Sequence, residues 1–190
     1  MKITILNGDI DPEKKDFSEY IHLLEEKLVS ENHKVQVFNI NNMNLFYCKG
    51  CWSCWWKTPG RCDIQDDGAQ IFQSVINSDF IIFASPLIAG FTSSALKKIT
   101  DRFVCLLHPY IQLKNGESHH QKRYEKYPDF GLLLEKEPET DQEDIEIVTN
   151  IYKRLSLNFH NQMRFCLFTE TNKPEEIIYE ISHNQRFATV

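Results

Sequence analysis

Apolar side chains along the chain switch repeatedly between two spacings, one typical of strands and the other typical of helices. Five short apolar or alternating segments predict strands: Lys2–Leu6, Lys34–Ile40, Phe80–Ala84, Phe130–Leu134 and Arg164–Thr169. Between them, apolar residues recur three and four positions apart, as Phe17, Ile21, Leu24 and Leu28 do, and predict amphipathic helices. The regular alternation of strand and helix predicts a parallel sheet with helices on both faces.

Polar residues at the ends of these segments predict where the helices begin and end. Pairs three residues apart predict capping boxes: Asp16 with Glu19, Asp67 with Gln70, and Thr140 with Glu143. Helices are also predicted over Ser93–Leu107 and Pro174–Ile181, and Asn32 is expected to end the first helix. The long polar segment Pro109–Asp129 is expected to be an insertion or flap.

The pattern favours a single α/β domain over residues 1–190, with a three-layer, doubly wound, five-stranded parallel sheet in the order 2-1-3-4-5. The wholly apolar run Phe80–Ala84 is typical of a central strand that is buried on both faces. Ligands in such sheets bind beyond the carboxyl ends of the strands. The loops Asn7–Asp16, Ser85–Thr92 and Glu135–Thr140 are therefore expected to form the functional site.

Charge and length exclude several classes of function. The net charge of -6 argues against a nucleic acid or an anionic membrane surface as the main partner. No apolar run approaches the roughly 20 residues that cross a bilayer. The first residues are typical of a strand and not of a signal peptide, so the cytoplasm is the expected location.

Four of the six cysteines lie close together, at Cys48, Cys51, Cys54 and Cys62. The spacing C-x2-C-x2-C-x7-C lets the thiolates of one loop point at one centre, as in a 4Fe-4S cluster. A four-cysteine zinc site and reduced, unliganded thiols are the alternatives. We expect the four sulfurs to converge on one loop after the second strand. Cys105 and Cys166 are at core positions and are expected to be inert.

Three tryptophans, Trp52, Trp55 and Trp56, lie among these cysteines. They could form the wall of a ligand pocket, but large aromatic residues are enriched at subunit interfaces. We therefore expect them to lie in an interface between subunits.

Two segments resemble a known family. Ser85-Pro86-Leu87-Ile88-Ala89-Gly90, followed by Leu96-Lys97 and Asp101-Arg102, is similar to the flavin loop and following helix of the NAD(P)H-dependent FMN reductases. The four-cysteine segment, with Gly60-Arg61 before its last cysteine and Asp66-Asp67 after it, resembles the iron-sulfur flavoprotein branch. The resemblance implies a flavodoxin-like fold, bound FMN, a possible 4Fe-4S cluster, and a homodimer or homotetramer. It also implies electron transfer from NAD(P)H to a quinone-like small molecule or a protein acceptor.

The resemblance also implies which residues bind FMN. These are Gly8, Phe17, Ser18, Ser85, Pro86, Leu87, Ile88, Ala89, Gly90 and Phe91. The ring would lie against Ser85–Phe91, and the phosphate at the start of the first helix near Phe17 and Ser18, with help from Lys14 or Lys15.

The chain departs from the family pattern in two places. The first loop carries four carboxylates, Asp9, Asp11, Glu13 and Asp16, which predict weaker binding of the phosphate. Ile88 replaces the usual aromatic residue of the flavin loop. The sequence suggests no catalytic acid, base or nucleophile, and it leaves two alternatives open: an iron-sulfur electron carrier, and a binding protein on the same fold that has lost its flavin.

Overall fold

The computed structural model describes residues 1–11, 15–114 and 116–183, and its centre is a parallel sheet. The strands are β1 (Lys2–Asn7), β2 (Lys34–Asn39), β3 (Phe80–Ile88), β4 (Phe91–Thr92), β5 (Leu107–Lys114), β6 (Glu117–Lys122), β7 (Asp129–Glu135) and β8 (Met163–Phe168). The main sheet has the order β2-β1-β3-β7-β8, and each neighbouring pair in it is parallel. The predicted order 2-1-3-4-5 and the α/β fold class are confirmed.

Helices cover both faces of this sheet. They are α1 (Lys15–Ser30), α2 (Ser53–Trp56), α3 (Gly68–Ile76), α4 (Ser94–Thr100), α5 (Gln142–Phe159) and α6 (Pro174–Ser182), with 3-10 turns at Ile40–Asn42 and Asp101–Leu106. Apolar residues of α1 and α6 form the core on one face, and those of α3, α4 and α5 form the core on the other. No helix within the described residues is long and apolar enough to cross a membrane.

The first five residues of β3, Phe80–Ala84, show why this part of the central strand has no polar position. Phe80 and Ile82 contribute to one core, whereas Ile81 and Phe83 contribute to the other. Successive side chains of a strand point to opposite faces, so a strand covered on both faces is apolar throughout. The burial of this segment confirms the interpretation of the run Phe80–Ala84 as a central strand.

The predicted start of α1 is wrong, and the predicted N-cap of α3 is right in position but not in its hydrogen bond. Helix α1 begins at Lys15, so Asp16 lies in its first turn and is not the N-cap. Asp67 is at the N-cap of α3, but its side chain makes no capping bond. The carboxylate of the preceding residue, Asp66, accepts the hydrogen bond of the Gly68 N–H instead.

The predicted capping box of α5 is wrong by one residue. Asp141 and Asp144 form it, and each side chain accepts a hydrogen bond from the other residue's backbone N–H. The Thr140 hydroxyl accepts from the Glu137 N–H in the preceding turn and does not cap the helix with Glu143.

Three further segments differ from the expected pattern. Strand β3 continues through Pro86 to Ile88, because Pro86 lies near the end of the ladder with β7, where one missing N–H is tolerated. The helix predicted over Ser93–Leu107 is α4 followed by a tighter 3-10 turn. The predicted flap contains most of an antiparallel hairpin, β5–β6.

Candidate functional site

A tight hairpin extends β3 beyond the carboxyl edge of the sheet. Strand β4 folds back antiparallel on Leu87 and Ile88. The two residues between the strands, Ala89 and Gly90, have φ angles of 49° and 73°. Both are in the left-handed region, as a two-residue hairpin turn requires. Ala89 has a Cβ and so adopts this conformation at a cost of about 1–2 kcal/mol, and such strain is often found at ligand sites.

The solvent-accessible part of this hairpin is its tip, Ile88–Phe91. Ser85, Pro86 and Leu87 are buried. The Ser85 hydroxyl donates to the Pro86 carbonyl and accepts from the Ser93 N–H, with both distances 2.8 Å. Ile88 and Ala89 are exposed and apolar, whereas the Asp144 carboxylate of α5 packs against Gly90.

Gly8 lies behind the tip and holds β1 against α4. Its N–H donates to the Ala84 carbonyl at 2.8 Å, and its carbonyl accepts from the Ser93 hydroxyl at 2.5 Å. A Cβ at Gly8 would lie only 2.7 Å from the Leu96 Cβ, so a larger residue does not fit. The backbone groups of Gly8 are therefore used within the protein.

A carboxylate lies at the expected phosphate end of the site. One oxygen of Asp9 accepts from the Ser18 hydroxyl at 2.6 Å, and the other accepts from the Asp11 N–H at 3.1 Å. The Phe17 side chain is buried in the core beneath α1. Lys14 and the Lys15 side chain lie outside the described residues. Among the described residues, this end of the site does not suit a phosphate while Asp9 holds Ser18, whereas the hairpin tip offers apolar contact of the kind that a flavin ring needs.

Beside Asp9 is a cleft of about 440 Å³, between α1 and the carboxyl ends of β1 and β2. Asp9, Asp11, Glu25 and the asparagines 39, 41 and 42 line it. The asparagines were not predicted as site residues, although their position directly after a strand was a usable signal. Carboxylate and amide groups suit hydroxyl-bearing ligands and disfavour anions.

All four predicted cysteines line one cavity of about 240 Å³. Cys54 is buried, Cys62 is half-buried, and Cys48 and Cys51 are exposed. Burial, followed by the proximity of the other three thiols, raises the pKa of Cys54. Hydrogen bonds from the side chain and the backbone of Ser53 lower the pKa of Cys51.

A fifth thiol, which was predicted to be inert, lines the same cavity. Burial, followed by the nearby Cys62 and Cys54, raises the pKa of Cys105 to about 12. Cys105 was predicted at a helical core position. Nothing in the sequence indicated that the segment carrying the four motif cysteines, Cys48–Cys62 (the cysteine loop), would fold over it. At pH 7 Cys105 is therefore a neutral thiol on the wall of the cavity.

The cavity fits a thiolate-bound metal centre in the kind of donor it offers. Within the described ranges, no three His, Cys, Asp or Glu side chains already form a metal site. Arg102, which lines the cavity, has a buried donor, Nε, without a hydrogen-bond partner in the described part of the chain. Such an orphaned donor suits a thiolate or sulfide acceptor. Cys48 and Cys51 would have to close on the two inner cysteines to complete the ligand set.

The tryptophans of the cysteine loop divide into two groups. The Trp55 indole N–H donates to the Val104 carbonyl at 3.0 Å, and its ring is half-buried against the core. Trp52 and Trp56 are exposed. Trp52 has a φ of 59°, a second strained non-glycine residue at a candidate site.

Comparisons with known proteins agree with this architecture. The chain is 29% identical over 119 residues to an iron-sulfur flavoprotein of Clostridioides difficile, over 60% of this chain and 51% of that protein. It is 30% identical over 116 residues to an iron-sulfur flavoprotein of Methanosarcina thermophila, over 60% of this chain and 59% of the relative. The matches thus span only about half to three fifths of the relatives' own lengths.

The chain also resembles a solved structure and matches a family model. An NAD(P)H:quinone oxidoreductase from Methanothermobacter marburgensis superposes with a TM-score of 0.60 at 16% identity, over 96% of this chain and 94% of that one, which shows the shared fold. The model of the family described as NADPH-dependent FMN reductase matches residues 1–123, which contain the hairpin tip, the first loop and the cysteine cavity. On that match, the chain belongs to the NADPH-dependent FMN reductase family.

Proposed function

We propose that the protein is an FMN-dependent oxidoreductase that passes electrons from NAD(P)H to a quinone-like small molecule or a protein acceptor. The observation that carries this proposal is the hairpin tip Ile88–Phe91, which presents an apolar surface where this fold binds ligands. Bound FMN would supply the redox chemistry, because it can take a hydride and pass on electrons.

The residues of the hairpin tip would position the flavin ring. Ile88 would offer it apolar contact, and the left-handed turn at Ala89 and Gly90 would allow its backbone to approach the ring. The hydrogen bonds that join Gly8, Ser85 and Ser93 are buried, so they fix the base of the hairpin. A rigid base holds the tip in place without help from the ligand.

Anaerobic turnover tests the proposal. Purified protein with added FMN is mixed with NADPH or NADH and a soluble quinone, and the loss of nicotinamide absorbance is followed. We expect quinone-dependent oxidation that saturates with FMN. Replacing Ile88 with Glu should raise the FMN concentration for half-maximal rate by about tenfold or more, since binding would require the ring to cover an exposed charge.

The matched control is Val29→Glu, which adds the same charge at an exposed position in the last turn of α1. It should leave the half-saturating FMN concentration unchanged. Turnover that does not depend on FMN, or an equal loss in both variants, would contradict the proposal.

A second candidate function is electron transfer by a flavin together with an iron-sulfur cluster. The cavity that all four motif cysteines line favours this function. Helix α4 joins the two candidate sites, with Ser93 at the base of the hairpin and Arg102 in the cavity wall. The seven residues of α4 span roughly 10 Å, so the two candidate sites lie near opposite ends of one short helix.

Iron and sulfide analysis of anaerobically purified protein tests this second function. We expect four irons and four sulfides per chain and a broad brown absorbance. Cys54→Ser should lose the cluster, whereas Cys166→Ser, on β8 and outside the cavity, should keep it. A colourless protein that contains no iron and binds no FMN would instead support a binding protein that has lost its flavin.

A further inference from the structure

The cysteine loop is closed at its base by two adjacent carboxylates. The Asn44 N–H donates to the Asp67 carboxylate at 2.8 Å, and the Asp67 N–H donates to the Asn44 carbonyl at 3.1 Å. The Phe46 N–H donates to the Asp66 carboxylate at 2.8 Å. These bonds join the two ends of the segment that carries the four motif cysteines.

A buried arginine from outside the loop completes this closure. Arg102 is only 1% exposed, and its Nη1 and Nη2 donate to the two oxygens of Asp66 at 2.6 and 2.9 Å. Its Nη1 also donates to the Phe46 carbonyl at 3.1 Å. Gly68 lies so close to the guanidinium that an added Cβ would be 2.9–3.0 Å from it. The guanidinium is thus held on several sides in one orientation.

That orientation brings Arg102 next to a cavity thiol. Arg102 and Cys62 line the same cavity. The guanidinium stays protonated, as arginine does in proteins, and its side chain contacts Cys62. Its buried Nε has no partner within the described chain.

We propose that Arg102 is the positioning residue of the thiol centre: fixed by Asp66, it holds Cys62 on the cavity wall and donates a hydrogen bond to the sulfur-ligated centre that the four cysteines form. Cys62 and the buried Cys54 are then the fixed half of the ligand set, and the exposed Cys48 and Cys51 close on them. The inference rests on the second candidate function, the thiolate centre, and is independent of flavin binding.

Cobalt(II) is the probe, because its thiolate complexes have absorbance that grows with the number of sulfur ligands. Reduced, metal-free protein is titrated with cobalt(II) under argon. The double variant R102Q/D66N removes both buried charges together, so that no charge is left unpaired and the protein can fold. R102K retains the charge but replaces the planar fork with a single point donor. K57Q is the control, because it removes a cation of the same loop that is 71% exposed.

We expect the wild type and K57Q to bind one cobalt with four-thiolate absorbance. R102Q/D66N should bind it about 10- to 100-fold more weakly, as is typical when a residue that orients a ligand is lost. Its absorbance per bound cobalt should fall by about a quarter, because one ligand of four leaves. R102K should lie between the wild type and the double variant.

A purely structural role predicts another result. The double variant, folded by circular dichroism, would then melt at a lower temperature but bind cobalt with unchanged affinity and absorbance well below that temperature. That result would overturn the proposal. A wild type without four-thiolate absorbance would overturn it too, whatever FMN titration shows, because there would be no four-thiol centre for Arg102 to position.

Discussion

Asp9 contacts Ser18 in the first turn of α1, where we expect the FMN phosphate to bind. Its carboxylate takes the Ser18 hydroxyl at 2.6 Å, so a phosphate must displace it and accept its repulsion. Two unit charges about 4 Å apart near a protein surface repel by about 1–4 kcal/mol. We therefore expect Asp9 alone to weaken FMN binding, even though the chain retains the fold of the family.

Replacing Asp9 with Ser should strengthen FMN binding about tenfold, because it removes the repulsion and leaves a hydroxyl that can still accept from the Asp11 N–H. Fluorescence titration with FMN measures the effect, and titration with riboflavin, which lacks the phosphate, should show little change.

The control for this prediction is Glu25→Gln, which removes one charge from the same cleft but does not touch Ser18. Its FMN affinity should stay within about twofold of the wild type. If Asp9→Ser weakens FMN binding, or if Glu25→Gln strengthens it equally, the role assigned to Asp9 is wrong.

Helix starts show what a local pattern can and cannot predict. The segment Thr140-Asp141-Gln142-Glu143-Asp144 contains two overlapping capping boxes, and spacing alone does not choose between them. In the structure, Asp141 caps the helix, whereas the Thr140 hydroxyl bonds to the Glu137 N–H of the preceding turn. The helix could thus be predicted from its apolar spacing, but its first residue depends on a contact outside it.

Replacing Asp141 with Ala should lower the free energy of unfolding by about 1 kcal/mol, because an N-cap acceptor is lost. Replacing Glu143 with Ala should cost no more than a few tenths, since its exposed carboxylate only interacts with the helix dipole. Urea denaturation of both variants measures the change in the free energy of unfolding. A larger loss of stability for Glu143→Ala would favour the capping box of Thr140 and Glu143 that was predicted from the sequence.

At the scale of the whole molecule, the alternation of strands and helices was sufficient to predict the strand order. The cysteine cavity could be predicted only in part. Its four motif thiols are neighbours in sequence, but Cys105 and Arg102 reach it from beyond α4, and Arg102 bonds to Asp66 across 36 positions. Contacts of that range depend on how α3 and α4 pack against the sheet, which no spacing within the motif encodes.

Trp52 and Trp56 are exposed, and the subunit interface expected at these residues remains a prediction. We predict a homodimer at micromolar concentration, with Trp52 and Trp56 in its interface, because exposed aromatic residues of this size are typical of such contacts. Light scattering after size exclusion should show about twice the chain mass, and Trp56→Ser should raise the dissociation constant about tenfold or more. Tyr179→Ser on α6 is the control, and a monomeric wild type would contradict the prediction.

The central claim is that the hairpin tip binds FMN, and titration of flavin-free protein with FMN tests it most directly. Flavin fluorescence should be quenched in a saturable way with one FMN per chain, and Ile88→Glu should remove most of that quenching while Val29→Glu retains it. No saturable change up to high micromolar FMN, in the wild type and in Asp9→Ser alike, would contradict the claim.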